Sequence, residues 1–365
     1  MKALALKYRP KVFEDVVEQG STIKILQKQL LTDSTMNCYL FVGPAGCGKT
    51  TCARIMAREI NKGHGTPIEI DAASNNGVEN VRDIINGAQM KSLDSEYKVY
   101  ILDECHMLST GAWNAMLKLI EEPPMKTIFI FCTTDPQKIP ATIISRVQRF
   151  DFQRIGFDGI VARLEHIIKN EINDWVNEQC KEYGITFDQP ILEDNVVDNC
   201  PINYELEALK YIAKLADGGM RDAITMLDKC LSFSSDLTLD NVIKALGAVN
   251  YDDMFDLTDY ITDFKEKEML ELIESKYHQG CDLKQFIKQY SLFILDMCKY
   301  ITFNNFNYIQ IPNIYEERLK NYISSVEPKF VKQLLDKIIE ISNLIKWEHN
   351  CKAIIQMNLI LLCSE

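Results

Sequence analysis

The stretch Gly43-Pro44-Ala45-Gly46-Cys47-Gly48-Lys49-Thr50 fits the phosphate-binding spacing G-x-x-x-x-G-K-[ST]. Its glycines let successive backbone N–H groups turn inward into a concave anion nest. Lys49 carries a cation long enough to reach the β- and γ-phosphates of a nucleotide, and the Thr50 hydroxyl can ligate Mg2+. The flanks agree with this reading. Tyr39-Leu40-Phe41-Val42 reads as a buried strand entering the loop, and Thr51-Cys52-Ala53-Arg54-Ile55-Met56-Ala57 as a helix leaving it. The positive end of that helix points at the phosphates. A glycine-rich turn matching by chance is the alternative for the motif alone, and the strand–loop–helix context argues against it.

Outward from the loop, strand and helix signals alternate to about residue 152. Runs at 39–42, 67–70, 99–102, 128–132 and 149–152 read as strands, most of them short and apolar as in a sheet covered on both faces. Ser21 is placed to cap a helix over 22–31. Ser109 is placed to cap one that runs to Glu122, where Pro123-Pro124 stops it. The alternation predicts an α/β domain with an open, doubly wound parallel sheet and its ligand at the C-terminal ends of the strands. Beyond Phe152 the pattern is helical, at 157–176 and 204–216, with a break at Asp217-Gly218-Gly219 and a further helix over 220–232. The polar segment 182–203, with Pro190 and Pro201, reads as a loop. From about residue 239, apolar residues recur at helical spacing, as in 269–277, 283–303 and 330–344, which marks a separate all-helical domain.

A chain of 365 residues has room for two or three domains. Its net charge is −12, but residues 1–155 carry 19 Lys and Arg against 17 Asp and Glu, and the remainder 21 against 35. The acidity is C-terminal, and local patches rather than the total decide phosphate binding. No apolar run approaches the roughly 20 residues that span a bilayer. Lys2, Lys7 and Arg9 are not followed by an apolar stretch with a cleavage site, so no secretory signal and a cytoplasmic location are expected. The 12 cysteines form no C-x-x-C pair and several fall in buried-looking runs (Cys38, Cys105, Cys132). They read as reduced core thiols, not disulfides or zinc ligands.

Four further features carry chemistry. Val99-Tyr100-Ile101-Leu102-Asp103-Glu104 is an apolar strand ending in two carboxylates. There Asp103 would orient Mg2+ or its waters, and Glu104 would position and deprotonate an attacking water. A strand stopping at an acidic turn is the alternative. Thr133-Thr134-Asp135 follows the next strand, where a polar side chain can align the water; an ordinary strand-end turn fits equally. Arg146, after Ser145, can project toward a neighbouring subunit's nucleotide, where loss of such a finger costs about 10³-fold or more. Arg221 begins a helix after Gly218-Gly219-Met220 and can fold over the phosphates. Each arginine, taken alone, reads as a solvated surface residue.

In chain order, Tyr8-Arg9-Pro10, Phe13-Glu14-Asp15-Val16-Val17, the phosphate loop and Glu69-Ile70-Asp71-Ala72-Ala73-Ser74 form one set of motifs. Leu102-Asp103-Glu104-Cys105-His106-Met107-Leu108-Ser109, Leu119-Ile120-Glu121-Glu122-Pro123-Pro124, Thr133-Thr134-Asp135-Pro136-Gln137-Lys138, Ser145-Arg146 and Gly219-Met220-Arg221-Asp222-Ala223 continue it. Together they resemble the clamp-loader AAA+ ATPases, in particular the gamma/tau type of the bacterial DNA polymerase III clamp loader. The motif similarity spans about residues 4–230, and the C-terminal part agrees in being helical. The resemblance implies an AAA+ P-loop core over 1–155, a small helical lid over 156–238 and an all-helical collar over 239–365. It implies a motor that uses ATP and Mg2+ to open a sliding clamp and place it on primer–template DNA, within a pentamer of clamp-loader subunits and away from membranes. Position by position, ATP would rest on Gly43, Pro44, Ala45, Gly46, Cys47, Gly48, Lys49, Thr50 and Thr51. Thr50 and Asp103 would hold Mg2+, Glu104 would act as base, Thr134 as sensor 1, Arg146 as the trans finger and Arg221 as sensor 2. Arg9, Pro10 and Val17 would lie near the adenine.

Three departures from the family qualify this. Only residues 61–66 stand where the bacterial family carries a four-cysteine zinc module, so no zinc is expected. Val147 replaces a cysteine after the finger arginine. Asn75-Asn76-Gly77 stands where basic residues often face DNA, so DNA contact there is weakened or made by amides. Arg82 and Lys118 are then candidates for phosphate contact or simply solvated helix faces. The segment 84–90 would face the clamp by analogy, or be core. The chain ends soon after the collar region, which suits a compact phage or reduced system. Two other functions are weighed. Asp103-Glu104-Cys105-His106 resembles the D-E-x-H box of helicases and branch-migration motors, without further helicase motifs. A non-hydrolysing scaffold is disfavoured by the intact Lys49, Glu104 and Arg146.

Overall fold

The computed structural model describes residues 3–92, 94–183, 202–246 and 251–364, apart from 347 and 349. The chain divides into two compact units, one of Met1–Ile202 with Ile212–Asp228, the other of Asn203–Tyr211 with Lys229–Glu365. From 184 to 201, the segment read as a polar loop lies outside the described residues.

In the first unit, β1 (Cys38–Val42), β2 (Ile68–Asp71), β3 (Lys98–Asp103), β4 (Thr127–Thr133) and β5 (Gln148–Asp151) form one sheet in the order β2-β3-β4-β1-β5. Every pairing is parallel. The five expected strands are all present, each within two residues of its sequence reading. Helices α1 (Leu4–Lys7), α2 (Gly20–Leu31), α3 (Lys49–Ile60), α4 (Val78–Gln89), α5 (Thr110–Glu121), α6 (Ala141–Ile144) and α7 (Phe157–Tyr183) connect and follow them.

Strand side chains alternate between faces, and two separate cores result. On one face Leu40, Val42, Tyr100, Leu102, Phe129 and Phe131 pack with Val81 and Ile84 of α4 and Trp113 and Met116 of α5. On the other Tyr39, Phe41, Ile101, Ile130 and Phe150 pack with Leu26 of α2 and Ile55 and Met56 of α3. Central strands need apolar residues at every position because both faces are covered, which is why β1 and β4 are buried throughout. Strand β2 departs from that rule. It is the sheet edge and is largely exposed, Ile68 included.

Two sequence expectations about α2 and α5 part ways here. Ser109 caps α5, its hydroxyl accepting from the Ala112 N–H at 3.2 Å. Ser21 does not cap α2, which begins two residues earlier than expected, at Gly20, with Gln19 at its N-cap. The buried Gln19 side chain is held elsewhere, donating to the Gln153 carbonyl (2.8 Å) and accepting its N–H (3.2 Å). Ser21 is thereby drawn into the first turn. In the short connection from α3 to β2, Asn61 pairs with both backbone groups of Tyr97.

Helices α8 (Leu206–Leu215) and α9 (Met220–Phe233) follow, with a two-residue parallel ladder of β6 (Asn203–Tyr204) and β7 (Asp236–Leu237) that the helical reading does not contain. The second unit is then built from α10 (Leu239–Leu246), α11 (Tyr251–Thr262), α12 (Glu266–His278), α13 (Leu283–Phe303), α14 (Glu316–Ser325), α15 (Pro328–Leu344) and α16 (Cys351–Ser364). Its centre is α13, whose Phe286, Ile287, Tyr290, Phe293, Ile294 and Met297 are buried at the expected helical spacing. Among the described residues, no helix is long and apolar enough to cross a membrane.

Candidate active site

Strand order and register place the site. β4 lies between β1 and β3, with Val42 level with Thr133 and Leu102 level with Phe131. The C-terminal ends of all three strands therefore meet at one edge, at the crevice where an open parallel sheet binds its ligand. The Gly43 N–H donates to the Thr133 carbonyl at 3.1 Å, which ties the start of the phosphate loop to the end of β4.

All three glycines in the loop have conformations or neighbours that a side chain would not tolerate, and at Gly43 a Cβ would lie 2.5 Å from the Phe152 carbonyl oxygen. Gly48 is left-handed (φ 103°) and forms the N-cap of α3, so the loop can turn directly into the helix. Gly46 has φ 71°, and a Cβ there would lie 3.0 Å from the Gly219 Cα. The Met220 N–H donates to the Gly46 carbonyl at 3.1 Å, so the start of α9 docks backbone to backbone on the loop. That contact brings Arg221 to the site.

Lys49 is buried, and its ammonium donates to the carbonyls of Gly43 and Pro44 at 2.8 Å each. The Thr50 hydroxyl donates to Asp103 Oδ2 at 2.8 Å, joining α3 to the end of β3. Asp103 Oδ1 accepts the Glu104 N–H at 3.1 Å. Glu104 is left-handed (φ 46°), a conformation that costs a non-glycine residue about 1–2 kcal/mol. The bend takes its side chain off the strand, so that the Thr134 hydroxyl donates to Glu104 Oε2 at 3.0 Å. His106 Nδ1 lies 3.3 Å from the same oxygen and 3.1 Å from the Thr133 hydroxyl. The residues singled out on three separate motifs thus form two hydrogen-bonded pairs, Thr50 with Asp103 and Thr134 with Glu104.

Lys49, Thr50, Asp103 and Glu104 border a cavity of about 520 Å³. Of the candidates, Arg9, Pro10, Val17, residues 45–51, Asp103, Glu104 and Arg221 line it while Gly43, Pro44 and Thr134 do not, and Val16, Ile155, Arg163 and Met220 are also in the lining. Arg9 donates to the Thr51 hydroxyl at 3.3 Å. Its guanidinium is driven below its usual pKa by burial, then by the nearby Arg54 and Arg221 cations. Half-buried cations crowded in this way fit an anionic ligand, which would relieve the repulsion. Arg163 on α7 donates to the Tyr8 carbonyl at 3.0 Å and so fixes the chain just before Arg9. Neither Arg163 nor His106 is among the site residues that the sequence singles out. A lone arginine in an amphipathic helix carries no local signal, and in the sequence His106 is only a letter of the D-E-x-H box.

Other candidates lie apart from the cavity lining. Arg146 pairs with Glu121 at 2.8 Å and donates to the Thr142 carbonyl at 2.6 Å. Asn75 is held by the Asp71 carbonyl, and the Asn76 carbonyl accepts the Ser109 N–H. Arg82 on α4 and Lys118 on α5 are exposed, on helices that pack against one another. In the 84–90 segment Ile84 and Ala88 are core, and Met90 is exposed.

A family model described as DNA polymerase III, delta subunit, matches residues 66–156, and one described as DNA polymerase III clamp loader subunit, ATPase lid domain, matches 193–236. The chain is 34% identical to DNA polymerase III subunit tau of Bacillus subtilis, over 100% of this chain and 63% of that protein. It is 32% identical to DNA polymerase III subunit gamma of Buchnera aphidicola, over 74% of this chain and 72% of that protein. With subunit tau of Escherichia coli it shares 31% identity over 77% of this chain, which spans 43% of that longer protein. Among solved structures, the Thermotoga maritima RuvB Holliday junction branch migration motor aligns over 75% of this chain and 86% of its own, at 17% identity and a TM-score of 0.48. So loose a likeness supports no argument about function.

Proposed function

The chain belongs to the gamma/tau family of DNA polymerase III clamp-loader AAA+ ATPases, and from that premise we propose that it is an ATP-hydrolysing motor subunit that loads a sliding clamp onto primer–template DNA. The observation that carries the proposal is the meeting of Lys49, the Thr50–Asp103 pair, Glu104 and Arg221 around one cavity, with Thr134 behind Glu104 and bonded to it. A scaffold that never turns over ATP has no need of a carboxylate held by a strained backbone beside a phosphate loop.

The loop N–H groups and Lys49 would hold the phosphates of ATP, and Thr50 with Asp103 would hold Mg2+. Bound Mg2+–ATP supplies the phosphoanhydride and a Lewis acid at its γ-phosphate. Lys49, on the carbonyls of Gly43 and Pro44, would turn to those phosphates. Glu104 would take a proton from the attacking water, and Thr134 would align that water. Arg221 would neutralise charge from the α9 side. Arg146, paired with Glu121 outside the cavity lining, would serve a neighbouring subunit's nucleotide. We read residues 1–155 as the ATPase domain, 156–238 as the lid and 239–365 as the collar that assembles a pentamer. Arg82, Lys118, Asn75 and Asn76 are the candidates for DNA contact.

The test is steady-state ATP turnover with the co-encoded replication partners under four conditions: no addition, primer–template DNA, clamp, and both. Lys49→Ala serves as the blank and should lose at least about 10³-fold. Synergy between clamp and DNA is the expected result. Stimulation by DNA alone would point to a helicase-like motor, and no hydrolysis in the complete assembly to a scaffold.

A further inference from the structure

We propose that His106 is a positioning residue for ATP hydrolysis, acting through the Glu104 carboxylate. The proposal rests on the motor reading above and deepens it. His106 belongs to the short helical turn Cys105–Met107 that begins directly after Glu104. Its side chain is only 11% exposed, so its ring is fixed by what surrounds it and not by solvent. Nδ1 faces two oxygens, Glu104 Oε2 at 3.3 Å and Thr133 Oγ1 at 3.1 Å. With its proton on Nδ1 the ring donates to Thr133 Oγ1 and sets the same N–H dipole close to Glu104 Oε2, an electrostatic contact at 3.3 Å and not a second hydrogen bond. Thr133 Oγ1 is itself fixed, because it accepts the Asp135 N–H at 3.0 Å.

The ring thus stands between the end of β4 and the carboxylate. Glu104 Oε2 receives the Thr134 hydroxyl from the residue just past that strand and faces an imidazole anchored on the preceding residue, Thr133. The Thr134 hydrogen bond and the imidazole contact on one oxygen together define the direction of the carboxylate, where the hydrogen bond alone would leave it free to rotate. The left-handed backbone of Glu104 makes this support necessary, since it throws the side chain off the strand whose ladder fixes Asp103. Thr134, as the residue that aligns the attacking water, can exchange its Glu104 bond for that water only if another group keeps the carboxylate aimed. His106 is that group. It does not line the cavity.

The experiment compares wild type, His106→Ala, His106→Asn and Glu104→Gln in the complete assembly with clamp and primed DNA. It measures kcat, KM for ATP, the Kd of a fluorescent ATP analogue, and thermal melting. His106→Ala should lower kcat about 10–100-fold, as loss of an orienting partner does, with Kd for nucleotide within about two-fold of wild type. Asparagine places an amide N–H where Nδ1 stands, so His106→Asn should recover most of the loss. In a Glu104→Gln background His106→Ala should add nothing further, because both act on one unit. Wild-type turnover with an unaffected His106→Ala variant would overturn the assignment alone. So would equal losses in kcat and nucleotide affinity, or an Asn variant no better than Ala, since these mark a merely structural histidine. Absence of turnover in the wild-type assembly would remove the motor reading first, and this assignment with it.

Discussion

The cavity edge of the β/α unit and the core of the helical unit are held together by different chemistry. At the cavity, polar side chains reach across elements distant in sequence, Thr50 to Asp103 and Thr134 to Glu104. Each partner has a fixed identity because a hydrogen bond needs a particular donor and acceptor at a particular place. In the helical unit the centre is apolar. Phe255 meets Phe293 edge to face with ring centroids 4.8 Å apart, and Arg318 lies 4.7 Å above the Phe255 ring. Most of its charges lie nearer the surface, as where Arg318 joins Asp252 and Asp256 and approaches Asp259, although Asp296 on α13 is buried and pairs with Lys299. Burial pushes the Asp259 carboxyl up, and Arg318 offsets part of that shift. Packing of this kind accepts many residues of similar volume, which is why a cavity motif is readable in one chain and a helix-bundle surface is not.

Three substitutions probe this contrast. The largest expected effect is in the apolar centre. Phe255→Ala removes a fully buried ring and should cost about 3–5 kcal/mol in thermal or denaturant unfolding. Retained ATP-analogue binding after such a loss would show that the two units fail separately; loss of both together would show that they unfold as one. Next comes Gly46→Ala. The left-handed backbone and the nearby Gly219 make a Cβ there cost about 1–3 kcal/mol. Its main readout should be nucleotide affinity, because the strained loop is the phosphate cradle. Unchanged affinity and melting in the Gly46→Ala protein would refute the close docking of α9 on the loop. The smallest effect belongs to Arg318→Ala. Its partners are 42–51% exposed, so the ion pairs should contribute under about 1 kcal/mol, with a similar amount from the cation–π contact. The ion-pair part should fade in high salt, and a salt-independent loss would mean that ring packing dominates.

Much of the site is legible in the sequence. The loop, its lysine and threonine, and the carboxylates closing β3 are local patterns, and the structure places residues 45–50 of the loop and both carboxylates on the cavity. The arginine that starts α9 joins them, although its sequence offers only a helix after two glycines. Where reading fails, the cause is a partner far along the chain. Gln19 displaces Ser21 as the cap because Gln153, remote in sequence, offers both backbone groups to its amide. The β6 and β7 ladder has two residues on each side, too short to leave a periodic signal. Arg163 lines the cavity because α7 passes over Tyr8, which nothing in the helix pattern announces.

Sequence alone determined the kind of domain and the chemistry on offer: a parallel α/β sheet, an anion cradle at the end of its first strand, paired carboxylates at the end of its third, and helices thereafter. These follow from side-chain periodicity and local backbone freedom, which act over a few residues. Tertiary structure decided which strands are neighbours, and so set Thr134 of the β4 end between the phosphate loop and Glu104. It also decided that His106 should face that carboxylate, and that Arg146 should pair with Glu121 while Arg221 faces the cavity. Those outcomes depend on strand order and on long-range hydrogen bonds, which no local window of the sequence contains.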